Sequence, residues 1–166
     1  GSVSARRSLA GAYFYARRYE QARYHLDRAI TMNPNAEETY RFLGLTLGLD
    51  GAYDEAVRVL EEALLLPESG TYTQATLGYV LARMGREAEA RAILAELEAR
   101  AAHGYVSPVA FATLLIGLGD IDGAMEWAER ARADRRGWLA YLKVNPLLDP
   151  MRGHPKFDAL VREMGL

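Results

Sequence analysis

Cysteine is absent from the 166 residues of this chain. That excludes a disulfide framework and thiolate metal ligands, and it suits a reducing compartment, so a cytoplasmic location is expected. Lysine is scarce, with arginine outnumbering it 18 to 2. The bias points to a GC-rich coding sequence more than to a binding surface. Neither sign of charge dominates: the net charge is −2 and the pI is near 6.0. Phosphate binding needs a basic surface, so nucleic acid is not the expected ligand. No apolar run reaches the ~18 residues of a membrane span. The longest candidate, Val106 to Leu118, is broken by Ser107, Pro108, Thr113 and Gly117. No signal peptide is evident. The chain starts Gly1-Ser2, which looks like a cleavage scar, and residues 3–166 are read as a piece of a longer protein.

Motifs of catalysis are missing as well. His25, His103 and His154 fall on different predicted elements without metal-ligand spacing. There is no Gly-rich phosphate loop, zinc-protease motif or Gly-x-Ser-x-Gly elbow. Acidic residues are spread over solvated helix faces, Glu61/Glu62 and the Arg86/Glu89 pair among them. The chain is therefore not expected to be an enzyme, nor to hold a cofactor or a metal.

What the chain does have is a core's worth of apolar residues, half of the total, arranged with a period. Ala22, Ala56, Ala90 and Ala124 lie 34 residues apart, and so do Leu9, Leu43, Leu77 and Phe111. A small residue follows each of the latter: Ala10, Gly44, Gly78, Ala112. Further columns are Tyr13/Leu47/Leu81/Leu115, Tyr19/Tyr53/Glu87/Ile121, Leu26/Leu60/Leu94/Ala128 and Ala29/Ala63/Leu97/Ala131. Gly51, Gly85 and Gly119 separate the two halves of three units. Small residues allow close helix approach, apolar residues three and four apart make one helix face, and glycine ends a helix in the left-handed region. Tightly joined helix pairs cannot bury these faces alone; stacking does.

These columns resemble the tetratricopeptide repeat family. The resemblance implies an all-α, right-handed superhelical solenoid of four helix pairs, at 3–36, 37–70, 71–104 and 105–138, with capping helices in 139–166. The predicted helices are 3–16, 19–32, 36–49, 53–66, 71–84, 87–101, 107–118 and 121–134. Departures from the pattern are Arg17 in place of the inter-helix glycine, Pro67 one residue early, and Glu98 and Arg132 where Ile30 and Leu64 are apolar. Asn35 with Glu38 reads as a capping box, and Ser107-Pro108 as an N-cap with a first-turn proline.

After residue 138 the period ends. Trp138 to Lys143 reads as a short helix, Asn145-Pro146 and Asp149-Pro150 as extended or turn segments, and Lys156 to Met164 as a last helix begun by His154-Pro155 and closed by Gly165. The tail (Trp138-Leu139, Asn145-Pro146, Leu148-Asp149-Pro150, Arg152, Pro155, Phe157, Leu160, Gly165-Leu166), with Asp122 to Ala131, is similar to tetratricopeptide regions of bacterial signalling proteins. There such a region follows a winged-helix DNA-binding domain, a protein kinase or a nucleotide cyclase. That resemblance implies a regulatory region controlling an upstream effector domain.

In the family, the first helix of each pair lines a concave face that binds proteins or peptides. Transferred here, that face is Arg7, Phe14, Tyr15, Glu38, Arg41, Leu45, Tyr72, Tyr79 and Arg83. Phe14, Leu45 and Tyr79 could equally pack against adjacent helices. The carboxylate clamp of one subtype is not reproduced: Arg7, Gly11, Phe42, Tyr72 and Thr76 stand at its places, and Arg41, Leu45, Thr76, Val106 and Ala110 do one unit later. The helix 107–118 is apolar nearly all round and needs cover, either from Trp138, Tyr141 and Leu142 or from a second copy. Val3, Leu9 and Tyr13 leave the first helix open, a second route to a homo-oligomer. Because Ala56 is assigned to a close contact, Ala56→Leu should cost about 1–3 kcal/mol through overpacking. An unchanged melting temperature would contradict the column assignment.

Overall fold

Two amphipathic patterns in each 34-residue unit give two helices, and the computed structural model, which describes residues 1–133 and 141–165, is helical without a strand among them. The helices are α1 (Val3–Tyr15), α2 (Tyr19–Met32), α3 (Glu37–Leu49), α4 (Tyr53–Leu64), α5 (Thr71–Arg83), α6 (Glu87–Ala101), α7 (Pro108–Leu118) and α8 (Ile121–Ala133). A 3₁₀ segment, Pro146–Met151, and a final helix α9, Pro155–Glu163, follow. Each helix agrees with its sequence expectation to within two residues at either end. Trp138 and Leu139, with the rest of 134–140, lie outside the described residues, as does Leu166.

Consecutive helices pack on one another, and α3, α5 and α7 also pack side by side. Each of the four turns inside a helix pair closes in the same way. The residue after the turn donates its N–H to a carbonyl five back: Arg18 to Tyr13, Ala52 to Leu47, Arg86 to Leu81 and Asp120 to Leu115, at 2.8–3.0 Å. This helix-ending bond requires a left-handed residue just before the donor. Gly51, Gly85 and Gly119 supply it with φ of 83°, 91° and 79°. In the first unit Arg17 does so at φ 60°, a conformation roughly 1–2 kcal/mol worse for a residue with a Cβ.

The small columns point inward. Ala10, Ala22, Ala56, Ala90, Ala112 and Ala124 are fully buried. A Cβ on Gly44 would stand 2.4 Å from Leu60 Cγ, and one on Gly78 would stand 2.4 Å from Leu114 Cδ1. Gly117 is tighter, because a Cβ there would lie 2.7 Å from the Cα of Tyr79 on α5. The columns' large members fill the remaining core: Leu26, Leu47, Leu60, Leu81, Leu97 and Phe111. Leu9 departs from its column. It is 43% exposed on the outer side of α1.

Two expectations are corrected. Asn35 and Glu38 do not form a capping box: α3 starts after Ala36, which makes no side-chain cap, and Asn35 N–H bonds to Asn33 Oδ1 at 3.2 Å. The C-terminal cover expected for α7 is found at Leu142, whereas the Tyr141 ring stacks on Tyr15 of α1 and is 47% exposed. Helix α7 is buried from Pro108 to Gly117 by α5, α6, α8 and the 3₁₀ segment, with Leu142, Leu147 and Leu148 in the shared core. No apolar face of α7 is left for a second copy. Ser107 does cap α7, accepting from Val109 N–H at 3.3 Å, and His154 caps α9 through Lys156 N–H at 3.2 Å.

Two mid-helix glycines should respond oppositely to alanine. Gly117→Ala meets backbone and should destabilise by about 1–3 kcal/mol. Gly11→Ala, with nothing within 4 Å of the new methyl, should stabilise by about 0.5–1 kcal/mol through helix propensity. Denaturant midpoints measure both, and equal shifts of one sign would refute the packing described.

Candidate functional site

The odd-numbered helices present a common wall, and a cavity of about 720 Å³ opens along it. Its lining comes from α1 (Arg7, Phe14, Tyr15), α3 (Glu38, Arg41, Phe42, Leu45), α5 (Tyr72, Thr76) and the start of α7 (Ser107, Val109), with Tyr141 and Asn145 from the C-terminal segment. A second cavity, about 560 Å³, continues it past Ser4, Ser8 and Gly11 and shares Arg7, Tyr15, Phe42 and Tyr141.

Seven of the nine residues assigned to the concave face from sequence thus meet in one place: Arg7, Phe14, Tyr15, Glu38, Arg41, Leu45 and Tyr72. Phe14 contributes from beneath; it is 2% exposed and packs edge-on against Phe42 at 5.2 Å. The other two do not reach the cavity. Tyr79 is 4% exposed, since α7 crosses it at Gly117, and burial pushes its hydroxyl up to about 12. Arg83 is exposed in the last turn of α5, away from the lining. Phe42, Thr76, Ser107, Val109, Tyr141 and Asn145 were not among the predicted contacts. Phe42 follows Arg41 on the same helix and stands at a clamp position, so family register could have found it. Tyr141 and Asn145 required knowing how the tail docks.

The charges of the wall are paired. Arg7 bonds to Glu38 across α1 and α3. Arg41 stacks over the Tyr72 ring, its Cζ 4.4 Å from the centroid, and holds Glu37 at 3.7 Å. Glu37 is buried and accepts a hydrogen bond from Thr73. Burial pushes its carboxyl above the usual range, against the opposing pull of Arg41. Tyr15 is raised to about 12, first by burial and then by Tyr141 and Tyr72 nearby, so its hydroxyl stays protonated. The result is an aromatic wall with two guanidinium groups, each already engaged. It can offer stacking, cation–π contacts and N–H donors.

Among the described residues, no group of three or more His, Cys, Asp or Glu is placed to hold a metal ion, and no helix is long and apolar enough to cross a membrane. No family model matches the chain, and no curated protein matches it significantly.

Glu37 provides a pH test. An acid whose folded pKa lies above its unfolded value favours the native state below the unfolded pKa, and that contribution is lost as pH rises through the folded value. Glu37→Gln, which keeps an acceptor for Thr73, should therefore melt higher than the parent near pH 7. The gap should close as pH falls through the carboxylate range. A gap that widens on acidification would mean that Arg41, not burial, governs this group.

Proposed function

We propose that the chain is a tetratricopeptide-type scaffold, its four helix pairs wound as a right-handed superhelix, and that it binds an extended or helical peptide of a partner protein along the wall of α1, α3, α5 and α7. It acts by binding, without catalysis or cofactor. The observation that carries this reading is convergence. Residues chosen by repeat register alone, spread over three units from Arg7 to Tyr72, line one continuous cavity. Aromatics beside arginine give large contact area at low side-chain entropy cost, with charge-assisted donors for a peptide backbone or carboxylate. The common bond pattern of the four turns supports the repeat assignment.

A second reading makes the same region the regulatory part of a bacterial signalling protein. It rests on the tail's resemblance; the structure adds that this tail is docked, with Leu148 and Phe157 buried in the core and Asp149 bonded to Arg17. The two readings are compatible. An effector domain in the same reading frame would favour regulation.

Peptides selected by display on the intact chain should lose about 1–3 kcal/mol of affinity on Arg41→Ala or Tyr72→Ala, with the far-UV circular dichroism unchanged. Leu65, which is 85% exposed and lies outside the cavity lining, is the control site, where Leu65→Ser should leave titration calorimetry unaltered. Affinity that survives both groove changes would exclude this wall.

A further inference from the structure

We infer that residues 141–149 form a latch that ties the two ends of the helix array together across the groove, and that a groove ligand competes with it. The competition, though not the latch, rests on the binding role proposed above.

The segment has an anchored side and a reaching side. Its anchor is apolar: Leu142, Leu147 and Leu148 are buried with the 3₁₀ segment against α7 and α8. Arg152 fixes its backbone, donating to the carbonyls of Leu142 at 3.2 Å and Asn145 at 3.1 Å. The reaching side makes two contacts with the first helix pair. The Tyr141 ring lies parallel on Tyr15, centroids 4.5 Å apart and planes 12° apart. Asp149 accepts two hydrogen bonds from Arg17, at 2.5 and 2.8 Å, across 132 residues of sequence.

Stacked helix pairs need contact only with their neighbours. A bond between the first pair and the segment beyond the last is therefore an addition to the stack, and it fixes the span of the wall between them. Arg17 shows that the addition is built in. The other three turns use glycine at this position; the first places a strained arginine there, and only a side chain can reach Asp149. Backbone strain retained at one of four equivalent sites points to a role for the side chain that replaced glycine. Asp149 is matched to it: Arg17, and after it Arg152, hold its carboxyl below the usual range.

The latch is also releasable. Both partners of the ion pair are about half exposed, and exposed pairs are weak. Tyr141 is 47% exposed and lies over the shared lining of both cavities, beside Arg7 and Phe42. An aromatic side chain of a bound peptide stacking on Tyr15 would take the place of this ring.

The lack of native cysteine makes the test direct. Spin labels at Glu20→Cys and Lys156→Cys, both exposed positions, report the span between the first pair and the tail by pulsed dipolar spectroscopy. The intact chain should give one narrow distance. Arg17→Gly, which keeps the turn as glycine does elsewhere, and Tyr141→Ala should each broaden it toward longer values. A distribution identical in all three would overturn the latch. Separately, a display-selected groove peptide should bind Tyr141→Ala about tenfold tighter, as expected if the groove of the parent is open about a tenth of the time. Equal affinity with altered distances would overturn the competition while leaving the latch. Peptides that bind neither form would refute the groove reading, and the distances would still decide the latch.

Discussion

The close approach of helices over small side chains is the contact on which the rest of this molecule depends. Where Gly44 faces Leu60, Gly78 faces Leu114 and Gly117 meets the backbone of Tyr79, no space remains for another methyl group. Those three contacts fix the distances between α3 and α4 and among α5, α7 and their neighbours. The wall exists because the odd-numbered helices lie near enough for their side chains to share one cavity. Shape here comes from what the chain omits at chosen positions. The large residues then fill the remaining volume at the density of an organic crystal.

Much of this was legible in the amino-acid sequence because periodicity and turn chemistry are local. The 34-residue columns identified the helices, and glycines at three turns marked where each hairpin reverses. Register even gave most of the cavity lining, from Arg7 on α1 to Tyr72 on α5. What stayed hidden depends on contacts between distant segments. Tyr79 belongs to the right column for an exposed residue, yet the bare Gly117 lets α7 cover it. The Asn35–Glu38 pattern has the spacing of a capping box, but Glu38 is drawn to Arg7 on another helix, an attraction that no window of four residues can reveal. The docking of Tyr141 on Tyr15 is longer in range still.

The cavity combines this rigid scaffold with polar groups that have already found partners. Arg7 is engaged by Glu38, and Arg41 by Glu37 and Tyr72. A ligand that presents only negative charge must displace a carboxylate and recovers little, since it exchanges one ion pair for another. A ligand that stacks on Tyr15, Phe42 and Tyr72 gains area without that exchange. On the binding role proposed for this wall, flat apolar surface would supply most of the contact and the guanidinium groups would set orientation.

Cover is distributed unevenly along the chain. Ten consecutive residues of α7, Pro108 to Gly117, are shielded from solvent, whereas α1 buries only Ala10 and Phe14. By burial alone, opening should cost most in the fourth pair and least in the first. The molecule is like an arch with its keystone near one foot, and the thinly covered foot is the one that carries Arg7, Phe14 and Tyr15, so its hold on the rest leans on the contacts of Tyr15 and Arg17 with the tail.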